Sequence, residues 1–388
     1  MQFVKIITIN LLVFLVLLGL LEIIGQVVAW LHPSYEVLYL QPDKKLGWKQ
    51  VPNLSYIYAG EYWYAADFSV QVKSNPLGFR DVTREFSKPR NVKRVALLGD
   101  SFIEALQVPL KNTAGYLLEQ KLNTSQPTLN QAKKWEVLNF GISSYGIGQC
   151  LLAYEEYAQK FSPDYVAIFV AYFHMARTVR KYKRGRLSEK NKQFWLRPVF
   201  KIENNLLVRL PARDIEEVVK IQENLIKNEF SGQRMRKKTQ LITLYQGRIL
   251  LQQIKNWGRR FYVKYIRKYI KTTPTQKHSV INPEVLKVNL KIIGELGKQV
   301  KSSGAHLIVI DASQYFGDQE SVSNALKKLS AENGFGYIPL YDFLLKANAE
   351  GISTTWAHDG HFNEAGNEIL ANTLSDWITQ NSLTTKLQ

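Results

Sequence analysis

The chain has 388 residues, 45% of them hydrophobic and 12% aromatic. That excludes general disorder and leaves length for one large core or two smaller ones. Its 51 Lys and Arg against 33 Asp and Glu give a net charge of +18, and its single cysteine, Cys150, excludes an intrachain disulfide framework or a cysteine-based zinc site.

From Ile6 to Trp30 the sequence is apolar, with no charge before Glu22. A spanning helix needs about 20 apolar residues, so this stretch suffices if Glu22 lies near an interface. No small-x-small cleavage site follows it, and Trp30 and His32 suit the interfacial belt. The expectation is a single-pass membrane anchor over 6–30, with the bulk of the chain extracytoplasmic. Lys5 against Lys44, Lys45 and Lys49 gives little guide to orientation.

Residues 31–90 are rich in Tyr, Pro and Gly, and alternation such as Phe68-Ser-Val-Gln-Val72 predicts short half-buried strands packing on a core. Asn75-Pro-Leu-Gly-Phe-Arg-Asp81 reads as a turn. Arg80 is a candidate for neutralising a substrate carboxylate, with an ordinary salt bridge as the alternative.

From Arg94 the pattern alternates. Strands are predicted at Arg94–Leu98, Glu136–Phe140, Tyr165–Ala171, His306–Asp311 and Tyr337–Leu340. Helices are predicted at Thr113–Leu122, Gln149–Lys160, Pro283–Ser302, Ser321–Glu332 and Glu364–Thr379. Such alternation implies a parallel sheet covered on both faces, with ligands beyond the carboxyl ends of its strands. The chemistry-bearing segments fall at those ends. Val95-Ala-Leu-Leu-Gly-Asp-Ser-Phe102 runs a buried strand into a turn and a helix start, where free N–H groups favour developing negative charge. Ser101 is the candidate nucleophile. Near the other end, Asp359-Gly-His-Phe-Asn-Glu-Ala-Gly-Asn367 supplies His361 as base and Asp359 as its orienting carboxylate. His358 is a weaker candidate base and reads better as a loop residue.

With these motifs the chain resembles the SGNH (GDSL-type) hydrolase family, over roughly residues 40–176 and 281–380. Gly99-Asp-Ser101 is similar to its first block, and Asp359 and His361 to its last. Val137-Leu-Asn-Phe-Gly-Ile-Ser-Ser-Tyr-Gly146 looks like its second, and Pro163–Val170 like the strand before its third. The resemblance implies a flavodoxin-like three-layer α/β/α sandwich formed by 91–176 and 281–380. It also implies three oxyanion donors: the Ser101 backbone, the backbone at the second-block glycine position (here Ser144) and a third-block Asn side chain. Ala171-Tyr-Phe-His-Met175 stands where that Asn belongs, which makes His174 the candidate donor in its place. Gly141 is a candidate for contacting substrate. The usual Asp-x-x-His spacing is shortened to Asp-Gly-His.

Residues 177–280 break the alternation. Between Arg177 and Lys277 there are 27 Lys and Arg against 7 Asp and Glu, a net of +20, so the rest of the chain is nearly neutral. Leu241–Ile270 has apolar residues at helical spacing among basic ones. A largely helical insertion is expected, either a lid on the core or a basic amphipathic surface against anionic lipid or polysaccharide. No nucleic-acid motif accompanies it, and no nucleic acid is expected as a partner. No cofactor and no metal are expected. Three function classes stand open: a hydrolase of acyl esters on envelope glycans or lipids, an O-acyltransferase with the same triad, and a non-catalytic binding protein on the same fold.

Overall fold

The computed structural model describes residues 2–31, 35–36, 39–62, 65–124, 134–180, 182–184, 194–210, 236–237, 281–317 and 320–384. The chain divides into two compact units, Met1–Leu38 with Gly232–Lys277 and Tyr39–Ser231 with His278–Gln388. In the first, helix α1 (Gln2–Leu31) contains a window, Lys5–Ile24, of mean hydropathy 2.6 with none of it buried. By length and composition it can cross a membrane. Tyr35–Glu36 pairs antiparallel with Arg236–Lys237 in the same unit.

The second unit is built on five parallel strands: β1 (Val92–Leu98), β2 (Lys134–Asn139), β3 (Tyr165–Val170), β4 (His306–Asp311) and β5 (Gly336–Ile338). Their spatial order is β5-β4-β3-β1-β2, with Ala96 beside both Leu138 and Val166 and Val309 beside Ile168. That is the flavodoxin-like 2-1-3-4-5 order. Every residue of β3 is buried, as expected of a strand covered on both faces. On one face Val95, Leu97, Phe169, Ile308 and Ile310 pack with Leu118 of α3 (Ala114–Thr124), Leu344 of α8 (Leu340–Ala349) and Leu374 of α9 (Glu364–Thr384). The other face is covered by α4 (Ile147–Glu156) and α6 (Pro283–Ser302), which pack on each other, with α7 (Glu320–Asn333) beside α6. The fold is therefore the three-layer α/β/α sandwich.

Details depart from expectation for local reasons. Pro339 ends β5 early and caps α8, a helix missing from the expected set. The helix expected over Gln149–Lys160 breaks at Tyr157 and continues as a 3-10 turn, Ala158–Phe161. Of the insertion, most of the residues expected to be helical lie outside the described ones; the described part includes two antiparallel strand pairs, Tyr182–Arg184 with Phe194–Leu196 and Val199–Glu203 with Leu206–Leu210. In the second, Asn204 and Asn205 both adopt positive φ, the geometry of a two-residue type I′ turn. The expected amphipathic helix at 241–270 lies outside the described residues.

The extension forms two hairpins, Leu40–Asp43 with Gly47–Gln50 and Ser55–Tyr62 with Ala65–Lys73. Phe68, Val70 and Val72 are buried while Ser69 and Gln71 are exposed, matching the alternation in the sequence.

Candidate active site

The reversal in strand order lies between β1 and β3; the Gly-Asp-Ser motif sits at the carboxyl end of β1, the second-block loop at that of β2, and Ala171–Met175 at that of β3. β1 runs into Asp100, whose side chain caps α2 (Ser101–Glu104) by accepting the Phe102 N–H at 3.1 Å. The helix lasts one turn, because Ala105 takes a left-handed conformation. Ser101 thus begins a helix, and it is 8% exposed. Its Oγ lies 2.8 Å from His361 Nε2, and His361 Nδ1 lies 2.5 Å from Asp359 Oδ1. The three residues come together from opposite ends of the chain.

The shortened Asp-Gly-His spacing has a backbone cause. Gly360 sits at φ +82, a left-handed turn that folds the Asp359 carboxylate back onto the ring two residues ahead. The loop is closed by Trp356 N–H donating to His361 O at 2.9 Å and by a bridge between Thr355 and Phe362. Below it, Asp67 Oδ2 on the extension accepts the N–H groups of His358 (2.9 Å) and Asp359 (3.2 Å). Asp67 Oδ1 lies 2.7 Å from His358 Nδ1. Burial raises the Asp67 pKa, but the hydrogen bonds from His358 and Asp359 outweigh it and hold it below the usual range. His358 is therefore a loop anchor.

The second-block loop is bound to α2 by a buried carboxylate. Glu104 Oε2 accepts the Ser143 N–H at 2.8 Å and also bonds its hydroxyl, while Oε1 accepts from Gln50 Nε2 at 2.6 Å. Trp48 Nε1 donates to Ser143 O at 3.1 Å, and the Tyr145 hydroxyl donates to Trp48 O at 2.6 Å. Ser144 itself has φ +68, the backbone a glycine would take without strain. No described group accepts from the N–H of Ser101 or of Ser144.

Three expected roles are corrected. His174, on α5 (Tyr172–Thr178), is 1% exposed. Nδ1 accepts the Ala171 N–H at 3.2 Å, and Nε2 faces Asp100 Oδ2 at 2.8 Å without hydrogen-bond geometry. The ring serves Asp100, not an oxyanion. Arg177 Nη1 reaches the same oxygen at 2.6 Å. Burial alone would raise the Asp100 pKa, but His174 and Arg177 reverse that and hold the carboxyl far below its ordinary range. Arg80 is buried and donates to the carbonyls of Glu104, Ala105 and Val108, so it clamps the chain after α2 instead of meeting substrate. Burial pushes its pKa down to about 10 against the pull of Tyr56 and Glu104. Gly141 is a packing residue. A Cβ there would come within 2.6 Å of Glu104 N, and its own N–H is spent on Asn139 Oδ1 at 2.9 Å.

Residues the motifs did not mark complete the site. The Phe102 ring lies tilted against the His361 ring, centroids 4.9 Å apart, and joins Phe316 and Phe362 in an aromatic cluster. Glu104 and Asp67 had no local sequence signal, since their partners lie far along the chain. Among the described residues no group of three His, Cys, Asp or Glu side chains is placed to hold a metal.

No protein-family model matches the chain, and no curated protein matches it. Solved structures do. An acetyl xylan esterase, AlAXEase, shares 14% identity over 73% of this chain and 98% of its own, at a TM-score of 0.37. A G-D-S-L family protein from Desulfitobacterium hafniense shares 11% over 74% and 99%, at 0.38. TesA shares 10% over 74% and 99%, at 0.40. The strand order of the chain is that of a flavodoxin-like three-layer α/β/α sandwich, and likenesses this low decide nothing about family, substrate or mechanism.

Proposed function

We propose that the chain is a membrane-anchored serine acyl hydrolase of the SGNH type. The observation that carries this reading is the relay from Ser101 Oγ through His361 to Asp359, at 2.8 and 2.5 Å. Asp359 accepts from Nδ1, which leaves Nε2 able to take the hydroxyl proton. Ser101 Oγ attacks the ester carbonyl, and the N–H groups of Ser101 and Ser144 receive the oxyanion. The protonated His361 then gives its proton to the leaving alcohol. Water, deprotonated by the same ring, attacks the acyl-serine and frees the acid. A third donor from His174 has no place in this scheme.

Covalent labelling tests the reading. A fluorophosphonate should modify wild type at Ser101, Ser101→Ala should not label, and His361→Ala should label at a rate lower by roughly 10⁴ or more. Labelling that persists in Ser101→Ala would remove the assignment. The apolar, unburied α1 supports the anchor. The full chain should resist carbonate and high-salt extraction, whereas recovery in the soluble fraction would count against an anchor.

A further inference from the structure

Around the second-block loop the positive charges outnumber the negative. Arg197 is 4% exposed, yet its hydrogen bonds go to neutral acceptors, Gln149 Oε1 at 3.0 Å and Ser144 O at 3.0 Å. Its guanidinium lies over the Trp48 ring, 5.2 Å from the centroid. Burial and then the like charges of Arg177 and Arg180 push its pKa down to about 9. Arg177 is 25% exposed and stacks on Phe173 at 4.6 Å. Its Nη1 carries both of its hydrogen bonds, to Asp100 and to Tyr145 O at 3.3 Å, so another edge of the guanidinium has no acceptor among the described residues. The two buried carboxylates nearby are thus already engaged, Asp100 by Arg177 and Glu104 by Ser143 and Gln50, beside two further cations, Arg197 and Arg180.

A buried guanidinium without a counter-charge is expensive to hold. The arrangement becomes economical if an anion enters. Both arginines grip the carbonyls of consecutive residues, Ser144 and Tyr145, one of which carries a proposed oxyanion donor. The positive field therefore lies at the reacting ester and not at a remote surface. Resting on the hydrolase reading above, we propose that Arg177, backed by Arg197 and Arg180, forms a subsite for an oxyanion on the substrate. The substrate class is then an acyl ester of an anionic molecule, with a carboxylate or phosphate held by the open edge of Arg177. The stacked Phe173 ring fixes the plane of that edge.

Binding to the full-length Ser101→Ala chain tests this without requiring turnover. The probes are 4-acetoxybenzoate, 4-acetoxyphenyl phosphate and the neutral 4-acetoxybenzamide, followed by NMR titration. At least one anion should bind about tenfold or more tighter than the amide, the size of a charge-assisted contact. The better of the two identifies the oxyanion. The preference should shrink as salt rises from about 0.02 to 0.5 M. Adding Arg177→Gln should abolish it, and Arg177→Lys should keep part of it. The salt series covers the case in which Arg177→Gln misfolds.

Equal affinities for all three probes overturn the subsite, as does a preference unchanged in folded Arg177→Gln. The two readings separate cleanly. If wild-type Ser101 labels but the affinities are equal, the hydrolase reading stands alone. If the anions are preferred but Ser101 never labels, the subsite stands and the hydrolase reading goes.

Discussion

The carboxylate of Glu104 accepts the backbone N–H of Ser143 at 2.8 Å, which joins the helix of Ser101, the proposed nucleophile, to the loop that carries Ser144, a proposed oxyanion donor. Glu104→Ala leaves that N–H and the Gln50 amide without their acceptor in a buried site. Stability should fall by about 2–4 kcal/mol, read from urea denaturation midpoints. Where the variant is still folded, kcat should fall with KM nearly unchanged, because the donor is displaced and not the binding surface. Glu104→Gln keeps one oxygen and should lie between.

Ser144 pays for its left-handed backbone, φ +68. Ser144→Gly should stabilise the chain by about 1 kcal/mol and keep activity, because the N–H is retained. Ser144→Val should cost more than that. A destabilised Ser144→Gly would mean that the hydroxyl, not the backbone, decides this position.

Asp100 has a folded-state pKa depressed by His174 and Arg177 against the effect of burial. A depressed carboxylate contributes stability that is fully present above its unfolded value, about 3.9, and is lost as pH falls toward the folded value. Wild type should therefore lose stability steeply below about pH 4, and Asp100→Asn should show a shallower acid limb from a lower plateau. Parallel limbs in acid melts would sink the assignment of that charge.

His174→Ala and His174→Asn should both lower stability, and neither should raise the acyl-transfer rate, since the ring serves Asp100. Single-turnover kinetics beside thermal melts separate the two effects. Faster turnover in His174→Asn would restore the oxyanion role that the geometry denies.

Asp67→Ala frees the backbone of His358 and Asp359. The triad carboxylate should wander, and kcat should drop by up to ~10²-fold, the penalty for a misplacement of about 1 Å. His358→Ala, which removes one of the three contacts to Asp67, should cost far less than His361→Ala. Equal losses in those two histidine variants would reopen the choice of base.

The sheet and the three residues of the relay were legible in the sequence because each carries a local signature. An apolar run meets Gly-Asp-Ser, and a short acidic-glycine-histidine motif precedes a helix. The roles of Arg80, Gly141 and His174 were not legible. A buried arginine capping three carbonyls looks, in sequence, like one awaiting a carboxylate. His174 stands at the family's donor position, but Asp100, far earlier in the chain, claims its Nε2. The Val199–Leu210 hairpin has its local signal in Asn204-Asn205 between two apolar-rich runs, set within a strongly basic stretch.

The two hairpins of the extension lie under different halves of the relay. Trp48 and Gln50 hold the side of Ser101 through Ser143 and Glu104, and Asp67 holds the side of His361. A chain trimmed to the family blocks would keep every signature residue and lose this footing. Cutting before Tyr39 removes the apolar helix and the short strand Tyr35–Glu36, whose partner Arg236–Lys237 stays behind, whereas cutting after Ser74 separates Ser101 and His361 from what sets their spacing. The working boundary of the proposed site therefore lies upstream of its first motif, and a shortened chain that keeps this footing starts no later than residue 39.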